Sequence, residues 1–338
     1  MTPHRLPDFL IVGAMKCGTT SLHRILDQHP GVFLPLGELF FFDVDDVQQH
    51  PDAFVYTPGG WTFFDYEAEF ERYLAWYAAH FAAAAPGQLV GEDTTTYLAS
   101  PRAPERIRAL LPEARIIVLL RDPVARAVSH YWHLVQHRRA IYPLEEMLQR
   151  APENLLVRGH YREQIERYLR FFPRDRVKVL LFERLVADPQ AVVDDVCAFL
   201  GLEESVDTSR VPTWANKTLY PRSLRLQLRF NRLVWPVTSK RRLLDEHHLR
   251  PTPGGRPAAA DAERAAPASG FWKRAMRRAV RALGSVDRFN MRSGECPPLN
   301  PHTRAFLARY FARENAGLST LLGEDVTALW PNLKGYEL

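Results

Sequence analysis

The stretch Phe9-Leu10-Ile11-Val12-Gly13-Ala14-Met15-Lys16-Cys17-Gly18-Thr19-Thr20-Ser21-Leu22-His23-Arg24-Ile25-Leu26 decides the fold. Four apolar residues without alternation read as a strand buried on both faces. A glycine-bearing turn follows, and Ser21 to Leu26 then reads as the opening of a helix. Strand, turn and helix in this order make an anion cradle, because backbone N–H groups at the turn and the positive end of the helix dipole point at the same place.

The nucleotide-binding P-loop would read G-x-x-x-x-G-K-[ST] here. This chain reads G-x-x-x-x-G-T-T, with its lysine moved back to Lys16 inside the turn. The motif predicts a phosphate-bearing donor, and the departure points away from ATP.

The same strand and helix alternation recurs along the chain. Gln88 to Glu92, Arg115 to Leu120 and Arg176 to Phe182 read as further strands. Glu67 to Phe81, Pro123 to Val135, Tyr161 to Phe172 and the run from Asp188-Pro189 to Gly201 read as helices. Such alternation predicts an α/β fold, a P-loop-like central parallel sheet flanked by helices. Ligands of these sheets bind beyond the carboxyl ends of the strands. Gly13 to Thr20, Glu92 to Thr96 and Arg121-Asp122-Pro123 all follow strands, so they are expected to converge.

Composition narrows the class. Hydrophobic residues form 46% of the 338, enough for a large core, and no run reaches the roughly 18 apolar residues of a membrane span. The N-terminus runs straight into the first strand, which predicts no signal peptide. Cys17, Cys197 and Cys296 are too few and too scattered for a disulfide framework or a zinc site, so a cytoplasmic setting is expected. Net charge is +5, unevenly spread: Arg222 to Arg281 holds 15 Lys/Arg against 4 Asp/Glu, or +11, leaving −6 elsewhere. An acidic body with one basic segment argues against nucleic acid and for a local anion or membrane contact.

That segment is read as an insertion. Thr252 to Gly270, rich in Pro, Gly and Ala, reads as a linker. Phe271, Trp272, Ala275, Met276, Ala279 and Leu283 then share a helical face beside Lys273, Arg274, Arg277, Arg278 and Arg281. This basic helix is either a lid over the acceptor cleft or a peripheral membrane contact. Asn300 to Trp330 returns to an ordinary amphipathic helical pattern.

The second chemical element is Arg121-Asp122-Pro123-Val124-Ala125-Arg126-Ala127-Val128-Ser129. Arg121 ends a buried strand, and Ser129 lies about two turns into the next helix. Arginine gives bidentate phosphate contacts and a serine hydroxyl adds one more. A strand-end arginine paired with a carboxylate is the plainer alternative. Lys16 likewise reads either as a point charge for a phosphate or as a solvated surface lysine. Thr19, Thr20 and Ser21 offer N–H and hydroxyl groups to the same anion, or simply cap the helix.

With both elements in this order, the chain resembles the PAPS-dependent sulfotransferases, and more narrowly the heparan sulfate and carbohydrate type and its bacterial relatives. Further matching stretches include Glu38-Leu39-Phe40-Phe41-Phe42-Asp43, Glu92 to Leu98, Gly159-His160-Tyr161 and Pro297 to Pro301. The resemblance implies a single sulfotransferase domain over residues 1–338, with a basic insertion at 219–292. It implies that PAPS is the donor, with no metal. The 5′-phosphosulfate would lie on Lys16, Cys17, Gly18, Thr19, Thr20 and Ser21, and the 3′-phosphate on Arg121 and Ser129. Lys217 and Arg292 stand in for the basic loop over the donor. Glu38 would be the general base and Lys16 would stabilise the leaving group. His130, His133 and Glu92 are rival bases.

Gly37 and Asp93 stand where many carbohydrate-type members carry lysine, which removes positive charge from the acceptor side. The acceptor is a small molecule, a lipid or a glycan, through a hydroxyl rather than an amine. Trp61, Phe63, Phe64 and Trp132 are read as cleft lining or as core. A small-molecule kinase is the rival enzyme, and a non-catalytic membrane-surface protein on the same fold is the rival outside enzymes.

Overall fold

A computed structural model describes residues 5–210, 218–238 and 289–338. The strands and helices introduced below are numbered along these described residues. Lys217, the linker at 252–270 and the basic helix at 271–283 lie outside the described residues, as does most of the segment read as an insertion.

The first half of the chain runs β1 (Phe9–Gly13), α1 (Thr19–Leu26), β2 (Val32–Phe33), β3 (Val55–Thr57), β4 (Gly60–Thr62), α2 (Phe70–Ala79), β5 (Leu89–Asp93), α3 (Ala103–Leu110), β6 (Arg115–Leu120) and α4 (Pro123–Gln136). It continues through α5 (Leu144–Arg150), α6 (Glu153–Leu156), α7 (Tyr161–Leu169), β7 (Val177–Leu181), α8 (Phe182–Ala187), α9 (Pro189–Leu200), β8 (Tyr220–Pro221), α10 (Leu224–Thr238) and β9 (Met291–Arg292). Two helices end it, α11 (Pro301–Glu314) and α12 (Leu318–Leu322).

Five strands form a parallel sheet in the order β2-β5-β1-β6-β7. β1 is central, with Ile11 paired to Asp93 of β5 and Gly13 to Val118 of β6. All of β1 and nearly all of β6 are buried, as expected of strands covered on both faces. Because β1 sends its chain to one side and receives β6 on the other, the turn after it opens at the switch point of the sheet.

Local chemistry fixes several boundaries. Asp122 caps α4, accepting from the N–H groups of Val124 (2.9 Å) and Ala125 (3.0 Å), with Pro123 in the first turn. Asp188 caps α9, and Gly201 ends it in the left-handed conformation, the limits expected from Asp188-Pro189 and Gly201. Phe41 stacks between Tyr73 and Tyr77 of α2, with ring centroids at 4.7 and 4.1 Å, so the loop before β3 is nailed to the core.

Two expectations are corrected. The helical pattern from Asn300 to Trp330 is broken: α11 stops at Glu314, the chain turns through Asn315 and Gly317, and α12 follows. The buried Asn315 side chain donates to the carbonyls of Gly159 (2.9 Å) and Phe311 (3.0 Å) and accepts from Tyr161 N–H (2.8 Å), which holds that break in place. Phe41 and Phe42 are fully buried, but Phe40 is only half-buried, has a φ of 55° and rests its ring on His50, so Phe41 and Phe42 anchor the loop. Trp61 is 65% exposed on the β3–β4 hairpin, beside Phe63 at 46%, whereas Phe64 and Trp132 are core. β2 and the hairpin had no sequence signal.

Candidate active site

Three neighbouring strands, β5, β1 and β6, end side by side, and each releases a segment carrying candidate residues. The turn after β1 is tied to both neighbours: Ala14 N–H donates to the Leu119 carbonyl (2.7 Å), and Leu98 N–H donates to Val12 (2.8 Å). Gly13 lies so close to the segment after β5 that a Cβ on it would come within 2.9 Å of the Thr95 carbonyl oxygen. Its φ of 145° is also one that L side chains rarely adopt.

The helix start is arranged for an anion. Gly18 caps α1 at φ 93°, with no side-chain cap, and the N–H groups of Gly18, Thr19 and Thr20 donate to no protein acceptor among the described residues. Three open N–H groups at a helix N-terminus, with a lysine in the preceding turn, fit a phosphate or phosphosulfate. Thr19 and Ser21 are buried and Thr20 is exposed. Cys17 turns its thiol inward, 3.7 Å from the Tyr161 hydroxyl, where burial pushes its pKa up to about 11. A buried thiol of that kind is packing, not a nucleophile.

Lys16 is half-buried, with Nζ 3.5 Å from His133 Nδ1. Burial lowers its ammonium pKa and Arg121 pushes the same way, against the pull of Cys17 and Glu38. Burial, with Lys16 beside it, lowers His133 to about 3, so the ring is neutral and can accept from the ammonium. Arg121 donates Nη1–H to the Lys16 carbonyl (3.3 Å) and lays its guanidinium on Phe182, 4.6 Å from the ring centre. Ser129 is half-buried one turn before His133 on α4, so the spacing of the two puts them on one helix face.

Glu38 comes from the loop after β2. Its Oε1 accepts from Thr95 N–H (2.8 Å) and from the Thr95 hydroxyl, while Leu39 N–H donates to Thr94 Oγ1 (3.0 Å). The carboxylate keeps an exposed edge, yet protein crowds it. That crowding raises its pKa, with Asp93 adding to the rise and the Thr95 hydrogen bonds and Arg158 opposing it. Glu38 is near enough for its charge to act on Lys16.

Of the rival bases, His133 stands in the site beside Lys16, while Glu92 and His130 are sealed in the interior. Glu92 is fully buried and accepts from the hydroxyls of Tyr97 (2.6 Å), Thr94 (2.7 Å) and Tyr77. His130 is buried, and burial holds it well below its usual pKa. Arg292 is exposed on β9, opposite Tyr220 of β8, which packs edge-on to Trp132 at 5.6 Å and feels the charge of Arg121. Strand pairing thus draws Arg292 toward the Arg121 side of the sheet.

The site also contains two arginines that no motif reading picked out as functional. Arg126 of α4 is 0% exposed; its Nη2 donates to the Leu155 carbonyl, while Nε and Nη1 have no partner among the described residues. Arg158, just before α7, donates Nη1–H to Met15 Sδ (3.0 Å) in the turn after β1. The only sequence signal was their place inside R-D-P-x-x-R-x-x-S and next to Gly159-His160-Tyr161.

The profile of the Sulfotransferase family matches residues 7–206. The chain belongs to the sulfotransferase family. Human heparan sulfate glucosamine 3-O-sulfotransferase 6 is 32% identical to it over 214 residues, which is 60% of this chain and 54% of that one. Human bifunctional heparan sulfate N-deacetylase/N-sulfotransferase 3 is also 32% identical, over 218 residues, 60% of this chain and 23% of that one. The chain thus spans about half, or less, of the length of these curated relatives. Over nearly its whole length it superimposes on a crystal structure of a sulfotransferase from Alicyclobacillus acidocaldarius, with a TM-score of 0.60, 26% identity, and 96% of this chain and 99% of that one covered. The matched residues 7–206 contain the turn after β1, the Glu38 loop, Arg121, Ser129 and Arg158 of this family member.

Proposed function

We propose that this protein moves a sulfuryl group from PAPS to an acceptor hydroxyl, releasing PAP, a sulfate ester and the proton that the hydroxyl loses. The convergence of Lys16 after β1, Arg121 after β6 and Glu38, which Thr95 holds beside the end of β5, carries the reading. The open N–H groups of Gly18, Thr19 and Thr20 hold the 5′-phosphosulfate end, with Lys16 against the bridging oxygen that gains charge as the S–O bond breaks. Arg121 and Ser129 hold the 3′-phosphate, and Arg292 covers the donor.

Glu38 takes the acceptor proton. Thr95 fixes the orientation of its carboxylate, and the raised pKa makes it a stronger base than an ordinary glutamate. His133 accepts from Lys16 and keeps that ammonium in the cleft. The heparan sulfate relatives favour a glycan as acceptor. With Gly37 and Asp93 near the base, the acceptor is a weakly charged glycan, lipid or secondary-metabolite hydroxyl rather than a polyanion.

The test has two arms. PAP, and not ADP with magnesium, should raise the melting temperature of the protein. Glu38→Gln should cut sulfuryl transfer from labelled PAPS by roughly 10²- to 10⁴-fold while PAP still stabilises it. Near-normal turnover in that variant would remove Glu38 from the chemistry.

A further inference from the structure

We propose that Arg158 grips the terminal sulfonate of the donor, holding the oxygens of the group in transit between the Met15–Lys16 turn and the Glu38 carboxylate. The proposal rests on the reading of PAPS as donor and adds a residue that reading does not use.

Arg158 is 6% exposed, in the short turn Val157–Gly159 that leads into α7. A guanidinium carries five N–H donors. Here one of them meets the thioether of Met15, a weak acceptor, and no carboxylate forms an ion pair with the group among the described residues. A nearly buried cation with so little satisfaction is expensive unless an anion arrives to complete it. The atoms left over are reachable: unlike Nε and Nη1 of Arg126, those of Arg158 are not sealed from solvent without a partner.

Its neighbours say which anion. Met15 adjoins Lys16 in the donor turn, so the guanidinium touches the donor side directly. Glu38 and Asp43 both act on its charge, and it in turn opposes the rise in the Glu38 pKa, so it also borders the base. Burial and Arg126 lower its pKa to about 10, which still leaves it charged at neutral pH. An anionic acceptor fits less well, because Glu38 and the Asp93 charge that acts on it make that side negative. The one anionic group that must lie between the turn and the base is the sulfonate itself, whose three oxygens suit a guanidinium fork.

PAPS and PAP differ only by that sulfonate, so the experiment compares their equilibrium affinities, without acceptor, for wild type, Arg158→Met and Arg158→Lys. PAPS should lose about tenfold or more in affinity for Arg158→Met, with PAP nearly unchanged. Arg158→Lys, which keeps the charge and loses the fork, should show a smaller loss again confined to PAPS, and it carries the test if the methionine variant does not fold. Equal losses for both ligands would make Arg158 a structural residue and overturn the proposal, as would unchanged affinity for both. If wild type binds neither ligand, the donor reading itself falls and takes this proposal with it.

Discussion

Glu92→Gln separates a structural carboxylate from a catalytic one. Glu92 lies on β5, fully buried, with three hydroxyls donating to it from Tyr77, Thr94 and Tyr97. Burial raises its pKa from 4.5 to about 7, although those hydrogen bonds pull the other way. The folded protein therefore holds this proton more tightly than the unfolded chain does. Its contribution to stability is complete below pH 4.5 and is lost as pH rises through about 7. A difference between 4.5 and about 7, at about 1.4 kcal/mol per unit, amounts to about 3 kcal/mol by pH 8. Glutamine is neutral throughout and still offers a carbonyl oxygen to the hydroxyls. The variant should therefore equal wild type near pH 4.5 and exceed it by up to about 3 kcal/mol at pH 8. Urea unfolding of both proteins across this range measures the difference directly. A stability difference that does not change with pH would mean that Glu92 holds its proton no more tightly in the folded protein than in the unfolded chain. Loss of turnover in Glu92→Gln while Glu38→Gln stays active would make Glu92 the base.

Thr95→Val removes a hydrogen bond that lowers the Glu38 pKa. Since the base acts ionised, the acid limb of the kcat/KM profile should move to higher pH, with activity lost on the acid side and retained on the alkaline side; an unmoved limb would detach Thr95 from the base. Arg121→Ala removes the guanidinium stacked on Phe182 and bonded to the Lys16 carbonyl. PAP affinity should fall about tenfold or more by calorimetry, and unchanged affinity would count against a 3′-phosphate at this strand end.

Much of the scaffold was legible because its cues are local. Asp188-Pro189 and Gly201 delimit α9 by capping chemistry that needs no other part of the chain. Arg115 to Leu120 lacks alternation because both faces of β6 are covered. Lys16, Arg121 and Ser129 were visible because strand ends and helix starts carry recognisable signatures. The β3–β4 hairpin was not: three-residue strands leave too little periodicity to read. Nor was the break at Asn315, where the apolar spacing continues while the side chain, bonded across to Gly159 and Tyr161, ends the helix.

The parallel α/β scaffold, the glycine turn after β1 and the order of the two segments that carry Lys16 and Arg121 are all written in the sequence, since each depends on neighbouring residues alone. Only the tertiary structure decided what surrounds the charges. It brought Thr95 to Glu38 across 57 positions, His133 to Lys16 across 117, and Arg158 to Met15 across 143. Burial and neighbouring charge set how strongly Glu38, His133 and Arg158 hold their protons, and both act through space and leave no mark on the order of residues.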